Sequence, residues 1–69
     1  MIRRDTRNIG KRVLITDGSN RGHYAVVRGF RGDVRRGVPW VFVQIYSNYD
    51  GHLFNATDYV SGALLETSR

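Results

Sequence analysis

The sequence contains no cysteine, one proline and, at Lys11, one lysine among its 69 residues. Without cysteine it can form no disulfide framework and none of the usual structural zinc sites. Its two histidines, His23 and His52, show no ligand-like spacing, so we expect no metal and no cofactor. A domain this short buries only about 60% of the surface of its unfolded chain. Its stability must come from a tight β core, a partner or self-association.

Long apolar runs are also missing. No segment approaches the roughly 20 apolar residues that a membrane span needs. Residues 1–5 lack the apolar segment and the small-residue cleavage site of a signal peptide. We therefore expect a cytoplasmic protein that makes no membrane contact.

Positive charge is abundant and unevenly placed. Apart from Lys11, all of the 11 basic residues are arginine. Residues 1–36 carry ten basic and three acidic side chains (net +7), whereas residues 37–69 carry one and three (net −2), which together give the overall +5. A basic surface of this kind indicates a polyanionic partner, although it also suits a merely solvated surface. Arginine favours the first interpretation because its planar fork binds phosphate bidentately and stacks on bases.

Short β-branched and aromatic runs, separated by glycine-rich turns, predict an all-β domain. We expect strands at residues 13–16, 25–30, 40–46, 52–55 and 62–66, with a single helical turn at residues 56–60 before the last strand. The alternation in residues 25–30 places Val26, Arg28 and Phe30 on one face. Five short strands without a long helical segment indicate a small barrel or sandwich over residues 10–69. Residues 1–9 read as a flexible basic arm.

The segment of residues 10–27 is a strand–glycine loop–strand unit. Two strands must reverse within a few residues, and Gly18 and Gly22 can adopt positive φ there. The unit resembles the KOW motif of large-subunit ribosomal proteins and NusG-type transcription factors; the matching positions are Val13, Ile15, Gly18, Arg21, Gly22, Ala25 and Val27. The resemblance implies an SH3-like barrel with an RNA- or protein-binding loop at residues 18–23. The family often has glycine at the position of Ala25. A phosphate-binding P-loop is not indicated, because the Gly-Lys-Ser/Thr ending is missing.

A second, shorter resemblance covers residues 43–46 (Val-Gln-Ile-Tyr). These residues resemble the active-site strand of the plasmid-borne type II dihydrofolate reductases, which are also SH3-like barrels and act as tetramers. In that family a lysine on the first strand helps to bind the phosphate of the cofactor. The matching position in this sequence is Ile15, so the likeness supports the fold more than the activity.

The candidate binding residues form two groups. The nucleic-acid-binding group is basic and comprises Lys11, Arg12, Arg21, His23, Arg28, Arg31, Arg35 and Arg36. The second group follows from the alternation in residues 40–46, where the aliphatic side chains point inward and the other four form an outer interaction face: Trp40, Phe42, Gln44 and Tyr46. Tyr24 and Phe30 are possible additions. Alternatively, Trp40 and Phe42 pack under the 31–39 connection or against the C-terminal strand.

Catalysis finds little support, so we expect no enzyme. No carboxylate pair is placed for acid–base work, since Asp50 and Asp58 lie in turn-like contexts where capping explains them. We expect a small binding module for RNA or DNA, or for a ribosome- or polymerase-type nucleoprotein assembly. The alternative is an adaptor or inhibitor, phage or plasmid encoded, that docks the aromatic strand face on a host protein or on a second copy in a homo-oligomer.

Overall fold

The computed structural model describes residues 1–31, 38–46 and 53–67. Its strands are β1 (Arg12–Ile15), β2 (Tyr24–Arg31), β3 (Trp40–Tyr46), β4 (Leu53–Ser61) and β5 (Leu65–Thr67). Short 3-10 helices occupy Thr6–Asn8 and Gly62–Leu64. The all-β class and the number of strands predicted from the sequence are therefore confirmed.

All five strands form one antiparallel sheet in the order β4-β3-β2-β1-β5. The two terminal strands of this order, β4 and β5, are consecutive in the chain and are joined by the 3-10 helix at Gly62–Leu64. The hydroxyl of Thr16 and its backbone N–H both donate to the Leu64 carbonyl oxygen at 2.8 Å, so this helix is fastened to the end of β1. Closure of the sheet into a barrel stays a prediction.

The core lies on one face of the sheet and is built from alternating aliphatic residues. On β3 the burial alternates as the sequence predicts, with Val41, Val43 and Ile45 at most 4% exposed. The other strands contribute buried residues at matching positions: Val13, Ile15, Ala25, Val27, Val60 and Leu65. The opposite face of β3 is thereby left to Trp40, Phe42, Gln44 and Tyr46.

A β-bulge in β2 corrects one prediction. Val27 pairs with Val43 but Gly29 pairs with Phe42, so Arg28 is an extra residue in the ladder. Beyond the bulge the alternation is inverted, and Phe30, opposite the buried Val41, packs against the core. The expectation that Phe30 shares the outer face with Arg28 is wrong, because strict alternation does not anticipate an inserted residue.

A second correction concerns residues 56–60. They were expected to form a helical turn, but they belong to β4, and the 3-10 helix before the last strand begins only at Gly62. Pairing with β3 overrides the local preference, with Tyr59 opposite Phe42 and Val60 opposite Val41. Asp58 therefore lies on a strand and is not a turn cap.

The N-terminal segment is attached to the domain at Ile2. This side chain is only 2% exposed and belongs to the core, while its backbone N–H donates to the Gly62 carbonyl oxygen at 2.9 Å. This contact is not predictable from the sequence, because a single apolar residue in an arginine-rich segment has no periodicity. The flexibility of residues 1–9 stays a prediction.

Candidate arginine–aromatic binding face

The candidate site is the side of the sheet opposite the core, which we call the outer face. Members of both predicted groups lie on it, since three of the predicted basic residues lie beside the predicted aromatic residues. Arg12 opens β1, Arg28 is the bulge residue of β2, and Arg31 ends β2. All three are exposed.

Arg12 is held between two tyrosines. Its guanidinium carbon lies 4.5 Å from the ring centre of Tyr24 and 5.6 Å from that of Tyr46. In the ladders Arg12 pairs with Val26, and Val26 pairs with Gln44, so these residues form one row across three strands. A guanidinium stacked on aromatic rings keeps its N–H donors at the rim of the stack, where an anion can reach them.

Arg28 is fixed by a side-chain amide. Its Nε and Nη2 atoms donate to Oε1 of Gln44 at 3.1 and 2.8 Å. A guanidinium has five N–H donors, so this fork leaves further donors for a ligand. Gln44, predicted as part of the interaction face, thus positions an arginine.

Arg31 lies over an aromatic pair at the β4 side of the face. Its guanidinium carbon is 5.1 Å from the ring centre of Tyr59, and that ring is 5.0 Å from the ring of Phe42 in a tilted arrangement. Tyr59 is 42% exposed and is the residue that the sequence analysis missed. If residues 56–60 had been interpreted as a strand, the alternation of Tyr59 with Val60 would have placed Tyr59 on the outer face.

Trp40 is the most exposed aromatic residue of β3, at 53%. It pairs with Arg31 on β2 and with Ser61 on β4. The alternative in which Trp40 packs under the 31–39 connection depends on residues 32–37, which lie outside the described residues. Phe42 is half-buried against Tyr59, so the strand that covers it is β4.

The cations of the outer face have no carboxylate partner among the residues that the structure describes. In that part of the chain the one ion pair joins Arg7 to Asp5, with Nη2 and Oδ2 2.8 Å apart. Hydrogen bonds from the side chain and the backbone N–H of Arg7 lower the pKa of Asp5 from 3.8 to about 2. This pair belongs to the 3-10 helix at Thr6–Asn8 and involves none of the outer-face arginines.

The other predicted basic residues lie elsewhere. Arg21 is exposed in the β1–β2 loop, His23 is half-buried just before β2, and Lys11 is exposed just before β1. The loop itself is well closed, since Gly22 N–H donates to the Ile15 carbonyl oxygen at 2.8 Å. Arg35 and Arg36 lie outside the described residues.

Two findings bear on other kinds of site. Among residues 1–31, 38–46 and 53–67, no group of three or more histidines and carboxylates is placed to hold a metal ion. Within the same residues no helix is long and apolar enough to cross a membrane.

Comparison of the chain with family models, with curated proteins and with solved structures gave no match. Membership of the KOW family therefore stays a prediction.

Proposed function

We propose that this protein is a nucleic-acid-binding module that contacts the phosphate backbone through the arginines of its outer face. The observation that carries the proposal is the arrangement of Arg12, Arg28 and Arg31, each held by an aromatic ring or an amide. Carboxylates, the ordinary partners of arginine, pair with none of the three within the described residues.

Preorganisation is the physical reason for choosing this face. An arginine that is free in solution loses side-chain entropy when it binds, of order 0.5–1.5 kcal/mol per side chain. In the free protein, stacking on tyrosine rings already restricts Arg12 and Arg31, and two hydrogen bonds to Gln44 restrict Arg28. Phosphate binding at this face therefore costs less than at arginines that no neighbour holds.

Aromatic residues give the face a second way to bind. Tyr46 and Phe42 are half-buried, whereas Trp40 and Tyr59 are exposed residues. Exposed rings stack unpaired bases at about 1–3 kcal/mol per base without strong sequence preference. Phosphate contacts with stacking favour a single-stranded ligand and little base specificity.

The test is a fluorescence anisotropy titration with labelled single-stranded RNA and duplex DNA at low salt. The double variant Arg12→Gln/Arg31→Gln is compared with Arg3→Gln/Arg4→Gln, which removes the same charge from exposed residues of the N-terminal segment. We expect the face variant to lose at least tenfold in affinity and the control to lose clearly less. Equal losses would show that net charge alone drives binding, and would contradict a specific face.

The exposure of Trp40 and Tyr59 also favours a second function, docking on another protein. Tryptophan, tyrosine and arginine are enriched at the centres of protein interfaces. Alanine substitutions at Phe42 and Tyr46 separate the two functions. Loss of a protein partner or of an oligomer, with unchanged nucleic-acid affinity, supports the adaptor.

A further inference from the structure

An open groove of about 210 Å³ lies between the β1–β2 loop and β4. Ile15, Val60 and Leu64 provide its apolar part; its other lining residues are Asp17, Gly18, Ser19, Asn20, Trp40, Asp58, Tyr59 and Ser61. Cofactor and drug sites usually measure 300–1,000 Å³, so this groove suits something smaller, such as one side chain.

The groove is acidic although the protein is basic. Its charged lining residues within the described chain are Asp17 and Asp58, and neither forms an ion pair there. Asp58 pairs with the buried Val43 and so lies on the core-facing side of β4. Its Oδ2 accepts a hydrogen bond from Asn20 Nδ2 at 3.1 Å. Asp17 Oδ1 accepts from Gly18 N–H at 2.8 Å. Each carboxylate has further lone pairs for a guest.

Two aromatic residues line the same groove. Trp40 is 53% exposed, and Tyr59 is held by Phe42, with ring centres 5.0 Å apart. An aromatic ring attracts a cation, as do the two carboxylates, so the charged and aromatic groups that line the groove favour positive charge. The ring of Tyr59 already carries the Arg31 guanidinium, 5.1 Å from its centre, which leaves Trp40 as the aromatic ring for a guest. A phosphate would be repelled, and a neutral guest would desolvate the carboxylates without pairing them.

We infer that this groove binds an arginine side chain presented by a protein partner, a function beyond the proposed nucleic-acid face. Guanidinium fits better than ammonium because it is planar, stacks on tryptophan and offers paired donors to carboxylates. A different protein is the source, because the net charge of +5 makes two copies of this chain repel one another.

Trp40 allows a direct test, since it is the only tryptophan in the chain. Its emission is followed while a capped Gly-Arg-Gly peptide is titrated into the 69-residue protein, without nucleic acid, up to millimolar concentrations. The same peptide with citrulline, which is neutral and of similar shape, is the ligand control. We expect a saturable change with the arginine peptide and at most a tenth of its affinity for the citrulline peptide.

Protein variants locate the guest. Asp17→Asn and Asp58→Asn each weaken binding about tenfold, since each removes one charge-assisted contact. Glu66→Gln, which removes an exposed carboxylate on β5, leaves the affinity unchanged. Asp17→Asn keeps the test valid if Asp58→Asn, which alters the bond to Asn20, disturbs the fold.

Three results would overturn the inference. They are no emission change with the arginine peptide, an equal change with the citrulline peptide, and an equal loss of affinity in Glu66→Gln. A change in emission when the protein alone is diluted would show that a second copy of this chain occupies the groove, and would contradict a different protein as the partner.

Discussion

Gly62 shows how one residue joins two parts of the chain. Its carbonyl oxygen accepts from Ile2 N–H at 2.9 Å, and its own N–H donates to the Pro39 carbonyl oxygen at 2.9 Å. A Cβ atom at this position would overlap the Ile2 carbonyl oxygen, which is backbone and cannot rotate away. The absence of a side chain is what lets the N-terminal segment reach the core.

Gly62→Ala is therefore expected to lower the free energy of unfolding by about 1–3 kcal/mol, as overpacking does. Ile2 would be displaced from the core in the process. Chemical denaturation measures the change. Gly29→Ala is the control, because a Cβ there meets nothing within 4 Å; we expect it to change stability by less than about 1 kcal/mol. Equal effects of the two substitutions would contradict the close approach.

Asp5 gives a prediction in pH. Its carboxylate caps the 3-10 helix at Thr6–Asn8 through Arg7 N–H at 2.9 Å and pairs with the Arg7 guanidinium. Folding lowers the pKa of Asp5 from 3.8 to about 2. The stabilisation that this carboxylate contributes is therefore present above pH 3.8 and is lost as the pH falls through about 2.

An NMR titration of the Asp5 side chain checks this pKa. We expect a midpoint near 2 in the unmodified protein, and a return toward 3.8 in Arg7→Gln, where the side-chain hydrogen bond is lost. A midpoint that stays low in Arg7→Gln would mean that Arg7 is not the cause.

At the scale of elements, the β1–β2 loop depends on glycine conformation. Gly18 and Gly22 have φ of 90° and 86°, as their spacing in the sequence predicts. The loop is closed by Gly22 N–H, which donates to Ile15, and by Ile15 N–H, which donates to the His23 carbonyl oxygen at 3.0 Å. These bonds set the register of β1 against β2 and also position Asp17 and Asn20 in the lining of the groove.

Gly22→Ala tests this loop. A Cβ at Gly22 meets no atom within 4 Å, so the cost comes from positive φ alone, about 1–2 kcal/mol. Gly22→Asn should cost less, because asparagine tolerates positive φ better than alanine does. Thermal unfolding of the three proteins gives the order. If alanine were as stable as glycine, the backbone of this loop would not require positive φ.

The strands also show what the sequence could and could not predict. Residues 40–46 combine β-branched and aromatic residues in strict alternation, so both the strand and its two faces were predictable. The faces of Phe30 and Tyr59 were not, because they depend on the bulge at Arg28 and on pairing of residues 56–60 with β3. Bulges and long edge pairings are decided by tertiary contacts, which leave no periodicity in a single strand.

The same limit applies to the candidate site. Composition identified the arginines and aromatic residues, but only cross-strand pairing shows that Arg12 meets Tyr24 and Tyr46. The groove was not predictable at all. It needs Asp17 and Asp58, which are 41 positions apart in the sequence, to line one space.

At the scale of the whole molecule, charge separates two surfaces. Exposed arginines lie along the outer face, and the acidic residues Asp17 and Asp58 line the groove between the β1–β2 loop and β4. The two surfaces meet at Trp40 and Tyr59, which belong to the outer face and also line the groove. We propose that the outer face binds nucleic acid by neutralising phosphates.

The salt dependence of nucleic-acid affinity tests that claim most directly. The slope of log K against log salt is about −0.9 per neutralised phosphate on duplex DNA and −0.7 on a single strand. For Arg12→Gln/Arg31→Gln we expect a slope shallower than that of the unmodified protein by about 1.4 to 1.8, since two phosphate contacts are lost. Undetectable binding of the unmodified protein at low salt, or the same slope for both proteins, would contradict the account.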